Sequence, residues 1–224
     1  MSGNDWQTFV DESIWSPPRK AKIDPPTSPP PPDENVRRLF PRLCELIGRS
    51  RVTPVRINGK PHRLLTWDDR DGNPLGWFCV DGDADAELAA IHEDHRVLAG
   101  YFGGIIERFN DPDTWLLNHN RALTLDLATE PLDFADYEWA FEERGGPPIN
   151  TNDWYAIAEE ANGNKTICHR DDGELLMFAP DHAFDHIVPL EGCPPYTLYR
   201  VRGAPVFTSW VETVARQWLD VIKL

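Results

Sequence analysis

Any chemistry this chain performs would need metal ligands, a nucleophile or an acid–base pair at workable spacing. Cys168, His169, Asp181, His182, Asp185, His186 and Cys193 fall within 26 residues, and every one is a zinc-competent type. If the middle of this segment were helical, His182 and His186 would share a face. With Cys168 and Cys193 they make up the ligand set on which a metal-dependent hydrolase could be built. Against it, Pro180 and Pro189 bracket the segment and the two cysteines lack paired spacing. Strand alternation along 165–170 also sends Cys168 and His169 to opposite faces. A buried Cys168 and a polar loop carrying histidines is the simpler reading, and no metal or other cofactor is expected.

Other constellations fail on spacing. His92-Glu93-Asp94-His95 holds its histidines three apart where the zincin HExxH needs four. Glu142-Glu143, Glu159-Glu160 and Asp171-Asp172 are carboxylate pairs of the kind a hydrolase uses, yet a chain with 37 acids produces such pairs by chance. Asp81-Gly82-Asp83-Ala84-Asp85 lacks the rest of a calcium loop and reads as an acidic helix start. No nucleophile elbow, phosphate loop or dinucleotide fingerprint occurs. The chain reads as a non-enzyme, with a metal-dependent or carboxylate-based hydrolase as the rival.

The elements that would position these residues follow from periodicity. Eight prolines lie between Pro17 and Pro32, so residues 1–32 are expected to be a proline-rich arm or linker. Within it, Trp6, Phe9, Val10, Ile14 and Trp15 either form a short amphipathic turn docked on the body or belong to a loose tail. Residues 33–224 form the globular domain. Val36 to Ile47 has helical spacing, with Pro41 as a kink or a first-turn residue. Strands 52–57 and 62–67 meet at Asn58-Gly59, and 75–80 follows.

A helix is expected from Ala84 to Tyr101, carrying His95 on its apolar face, and Gly103-Gly104 should break it before a strand at 105–109. A short acidic helix is expected over 133–144. Strands at 154–160, 165–170 and 174–180 are joined by Asn162-Gly163 and Asp171-Asp172-Gly173, and a further strand spans 196–202. Phe207, Trp210, Val211, Val214, Ala215, Trp218, Val221 and Ile222 line one face of a closing helix.

Charge is unevenly shared. Residues 1–60 hold ten Lys+Arg and seven Asp+Glu, net +3, whereas residues 61–224 hold twelve and thirty, net −18. That body disfavours nucleic acid and anionic membrane, both of which need a basic face. It permits a basic protein partner. Between residues 126 and 143 lie Asp126, Glu130, Asp133, Asp136, Glu138, Glu142 and Glu143, without a base and interleaved with Phe134, Tyr137, Trp139 and Phe141. These acids, with Tyr137, are the candidate protein-binding residues. The competing reading is a solvated helix whose aromatics face the core. The polar opening MSGNDWQTF and four widely spaced cysteines lead to an expectation of a cytoplasmic protein with free thiols.

One stretch carries a family likeness. DWYAIAEEANGNKTICHRDDGELLMFAPDHAFD, residues 153–185, resembles the central segment of the SUKH superfamily, related to the yeast cell-wall-assembly regulator. The matching positions are Trp154, Ile157, Ala158, Gly163, Gly173, Glu174 and Phe178, and the closing helix with Phe207 and Trp210 is similar to the family's terminal helix. YFGGIIERFNDPDTWLLN (101–118) stands where that family has its Gly-Gly segment.

The resemblance extends over about residues 84–224. It implies an α+β fold, one mixed or largely antiparallel sheet flanked by helices, here preceded by a proline-rich extension. It also implies a bacterial immunity protein that binds a polymorphic toxin, without shared catalytic residues. The proline-containing N-terminus and the CPPYTLY insertion (193–199) depart from the pattern. The expected entity is a monomer or weak homodimer that occludes a basic, nuclease-like toxin domain. A structural subunit docking through its N-terminal arm is a further alternative.

Overall fold

The computed structural model describes residues 5–13, 21–83, 91–112, 121–134, 139, 141–142, 145–181 and 185–223. Alternating apolar side chains and tight turns build a single antiparallel sheet in which eleven strands follow nearly the order of the chain. The strands are β1 (Ala21–Ile23), β2 (Arg51–Ile57), β3 (Lys60–Asp68), β4 (Pro74–Asp81), β5 (Phe102–Phe109), β6 (Arg121–Ala122), β7 (Trp154–Glu159), β8 (Lys165–His169), β9 (Leu175–Phe178), β10 (Ile187–Pro189) and β11 (Leu198–Val201). Only the end departs from a meander, because β11 inserts between β9 and β10. With six helices among the described residues, the architecture is α+β.

The turns are made by the residues that tolerate them. Asn58 and Gly59 both have positive φ (51° and 82°), the geometry of a two-residue hairpin between β2 and β3. Pro54 sits inside β2, where a missing donor would normally break a ladder. Its carbonyl accepts from Asp24 just beyond the end of β1, so the proline lies where the neighbouring strand stops. Gly103 and Gly104 do not break the chain after a helix, as expected, but lie inside β5. A side chain on Gly104 (φ +97°) would come within 2.5 Å of the Leu123 backbone, and one on Gly103 would strike the carbonyl of Asp81. Close backbone approach, not helix termination, explains the pair.

One face of the sheet packs on helices. The expected helix from Val36 divides into α2 (Glu34–Leu39) and α3 (Pro41–Gly48), with Pro41 opening the second. The Glu212 carboxylate accepts from the backbone N–H groups of Arg42 and Leu43, so a residue from the last helix caps α3. That last helix, α6 (Phe207–Leu219), buries Phe207, Trp210, Val211, Val214, Ala215 and Trp218. Trp218 packs edge-on against Trp77 and Trp67, with ring centroids 4.8 and 5.5 Å apart. Each buried indole removes about 150–250 Å² from water, on the order of 4–6 kcal/mol before ordering costs. Of the helix expected over 84–101, α4 (Glu93–Ala99) is observed, while residues 84–90 lie outside the described set.

The opposite face has two smaller clusters with two different covers. Over the first half lies α1 (Asp5–Glu12): Phe9 is 1% exposed among Val55, Leu64, Phe78 and Phe109, and Trp6 packs on Phe78. Arg51 fixes this helix by reaching both carboxylate oxygens of Asp5 (3.0 and 3.2 Å) while also gripping Asp68. Ile14 and Trp15, expected with that helix, lie outside the described residues. In the proline-rich stretch, β1 pairs with β2, and Pro30 accepts a hydrogen bond from the Tyr101 hydroxyl. Over the second half, Phe134 and Phe141 pack with Trp154, Ile167, Leu176, Phe178 and Leu198. No helix among the described residues is long and apolar enough to cross a membrane.

The first cover gives a stability prediction. Phe9→Ala empties a fully buried site and should cost about 3–5 kcal/mol, read as a lower urea midpoint. The exposed substitution Glu12→Ala on the same helix should stay within about 0.5 kcal/mol of the parent. Equal effects of the two substitutions would show that α1 does not cover the sheet.

Candidate functional site

The acidic stretch 126–143 begins in α5 (Leu125–Thr129), where the Thr124 hydroxyl caps the Leu127 N–H and Leu127 and Ala128 point inward. Asp126 is exposed. Glu130 is held by Arg121, whose two terminal nitrogens lie 2.7 and 2.6 Å from its oxygens. Arg121 also contacts Glu159, which pairs with Lys165 at 2.9 Å, so Glu130 belongs to an internal ion network. Its charge is already matched. Asp133 and Glu142 are exposed, while Asp136, Tyr137, Glu138 and Glu143 lie outside the described residues.

The described part of the expected helix over 133–144 is not α-helical: Trp139, Phe141 and Glu142 have 3-10 backbone, and residues 131–134 are irregular. Its aromatics divide between the two readings. Phe134 and Phe141 are buried, with centroids 4.5 and 6.4 Å from Phe178, whereas Trp139 is 62% exposed.

Among the described residues, the metal-ligand set is not brought together. Cys168 packs in the helix-covered core, whereas Cys193 packs against the Phe178 cluster on the other side of the sheet. His186 is exposed, and His182 lies outside the described residues. His169 faces Asp172 at 2.9 Å. Among the described residues, no group of three or more His, Cys, Asp or Glu is placed to hold a metal. Alternation explains the separation of the cysteines, since Cys168 shares a face with Leu175 and Met177, opposite to Ile167 and Leu176.

A different cluster forms instead, around residues that spacing did not connect. Tyr155 and Cys168 are direct cross-strand partners on β7 and β8. The Tyr155 hydroxyl accepts from the His92 backbone N–H and donates to Nδ1 of His95, both at 3.3 Å. Nε2–H of His95 then donates to the Leu123 carbonyl at 3.2 Å, which fixes the imidazole tautomer. The ring stacks on Phe207, with centroids 4.8 Å apart.

Burial dominates the electrostatics here. It pushes His95 down to about 4 and the Cys168 thiol up to about 12, and it also raises Tyr155. Near neutrality these groups are an imidazole, a thiol and a phenol without charge, and Cys168 is fully buried. The arrangement ties α4, the β6–α5 junction and the β7–β8 pair together; it does not present an activated nucleophile. The sequence signal was the apolar spacing of Ile91, His95 and Leu98, which already set His95 on a buried face. No family model, curated protein or solved structure matches this chain.

His95 sets a pH dependence. Its folded value lies below the ordinary 6.5, so the unfolded chain takes up the proton first. Stability from this group is complete above about pH 6.5 and is lost as pH falls toward 4. Between pH 7 and 5 the loss should be about 2 kcal/mol. Urea titrations should show His95→Gln less stable than the parent at pH 7 but with a shallower decline on acidification. An unchanged decline would place the acid sensitivity elsewhere.

Proposed function

We propose that the chain is a non-enzymatic protein-binding module that occludes a basic partner, as an immunity-type antagonist of a cationic, nuclease-like toxin domain. The supporting observation is the charge of the body, thirty acids against twelve bases over residues 61–224. It is joined by an exposed Trp139 within the most acidic stretch. The partner class rests on the SUKH resemblance of residues 153–185. Occlusion needs area and complementary potential, not reactive groups.

Docking to a larger assembly through residues 1–32 draws less support. Phe9 is already buried on the chain's own sheet, and β1 is already paired with β2.

Co-expression with cationic nuclease toxin domains tests the proposal through growth rescue and then through affinity. Raising salt from about 0.1 to 1 M shortens the screening length from about 10 to 3 Å. The dissociation constant of the rescuing pair should then weaken by about tenfold or more. No rescue by any such domain would overturn the antagonist reading. Rescue with an affinity indifferent to salt would replace the electrostatic mechanism by an apolar one.

A further inference from the structure

The two edges of the sheet are finished differently. Among the described residues, β10 is one edge strand and β1 the other. On β10 the Leu190 N–H donates to Leu198 and the His186 carbonyl accepts from Arg202. By alternation, Ile187 and Pro189 turn their backbones outward, and Pro189 has no N–H to offer, which blunts that edge.

The edge at β1 is open. The Asp24 N–H donates to Pro54 and Lys22 stands opposite Arg56, so Lys22 is bonded to β2 while Ala21 and Ile23 turn outward. The β2–β3 hairpin, closed by Ile57 and Lys60, has the parity this requires. Both outward residues keep their N–H and C=O groups, and the prolines begin only at Pro25.

Register decides what lies on each face of that edge. Lys22 and Arg56 are direct cross-strand partners, on the same face of the sheet as Val52. Both are exposed, and like charges set opposite each other repel. Asp24 lies 3.4 Å from Lys22, whereas Arg56 makes no ion pair among the described residues, so the pair keeps a positive charge. Arg19 and Lys20 directly precede β1, and residues 19–60 hold ten bases against four acids. On the other face, Ala21 packs with Ile57 against the Phe9 cluster. Ile23, opposite the buried Val55, is left 36% exposed.

An added strand fits this edge in one pattern. Its residue beside Lys22 falls on the cationic face, where a carboxylate relieves the repulsion. Its neighbours fall on the face of Ala21 and Ile23, where apolar side chains gain burial. A second copy offering its own β1 in antiparallel register would line up the Lys22 and Arg56 of both copies in one row. A lysine on an edge repels a like edge and admits an acidic one.

We propose that the outer edge of β1 receives an extended acidic segment of another protein, which adds to the sheet as a further antiparallel strand through Ala21 and Ile23 and sets a carboxylate beside Lys22 and Arg56. The N-terminal arm does not leave the body to dock elsewhere; a partner's strand comes to it. This site lies outside the acidic stretch of the antagonist reading and does not depend on that reading.

The probe is a short capped peptide of alternating valine and glutamate, titrated into the full chain. Amide NMR shifts should concentrate at residues 21–23 and 55–57, and the Ala21 and Ile23 amide protons should become protected from exchange. Ile23→Pro removes one outward donor and leaves the bonds between β1 and β2 in place, so binding should weaken by about tenfold at the parental melting temperature. Arg56→Glu should weaken binding by about fivefold, against less than about twofold for the exposed Arg38→Glu on α2, which changes net charge equally. A peptide of the same composition with its valines and glutamates in separate blocks should bind about tenfold more weakly.

Equal binding of the two peptides would overturn the proposal, as would equal effects of Arg56→Glu and Arg38→Glu or shifts centred away from β1. Dimerisation that Ile23→Pro abolishes would give the edge to a second copy. Tighter binding of a thymidine oligonucleotide than of the alternating peptide would assign the cations to nucleic acid instead. If Ile23→Pro lowers the melting temperature, the Arg56→Glu comparison and the block peptide decide.

Discussion

Alternate side chains of the central strands are apolar, so both faces of the sheet have to be kept from water. On β8 and β9, Cys168, Leu175 and Met177 face the helices, while Ile167, Leu176 and Phe178 face the other way. The two faces are solved differently. A thirteen-residue amphipathic helix with Trp210 and Trp218 seals the first, anchored by the interlock of Trp67, Trp77 and Trp218. The second is covered piecemeal, by α1 at one end and by irregular chain carrying Phe134 and Phe141 at the other. A regular helix can turn one stripe inward and keep the rest polar. Irregular cover is less tidy: it buries Phe134 and Phe141 and leaves Trp139, which lies between them in sequence, 62% exposed.

The same constraint accounts for the buried polar chain. A histidine on an inward helix face has to find partners, because an unpaired polar group in the core costs about 1–3 kcal/mol. His95 finds them in Tyr155 and in the carbonyl of Leu123, a residue with φ +61°. Leu123 is fixed from its other side as well, through its N–H to the Ile157 carbonyl at 2.6 Å. The histidine thus helps hold a strained leucine at the β6–α5 junction, and residue types that elsewhere perform catalysis are used here to join elements.

What could be read from the sequence was local. The turns Asn58-Gly59, Asn162-Gly163 and Asp172-Gly173 and the stripe of α6 each declare themselves within a few residues, and the strands they join are present. Strands of two or three residues, β1, β6 and β10, have no period to detect and exist through their neighbours. Gly103-Gly104 looked like a helix stop because a close approach to Leu123, distant in sequence, cannot be seen in the chain itself. The candidate site fared similarly: spacing grouped Cys168 with Cys193, and the sheet put them on opposite sides. Charge density marked 126–143, but only the fold shows Glu130 matched by Arg121 and Trp139 outside.

Internal pairing also sharpens the surface charge. Within residues 61–224, Arg63, Arg108, Arg121 and Arg200 each engage at least one carboxylate of the chain. With only twelve bases among residues 61–224, every such pairing leaves fewer cations to offset the remaining acids. Most of these pairs stitch neighbouring strands or hold a cover to the sheet, so the scarce bases are placed where the fold needs them. The stretches 126–143 and 181–199 contribute no Lys or Arg of their own, and of their acids Glu130 draws its partner from β6. A fold that commits its bases to structure concentrates negative potential on whatever lies away from those pairs.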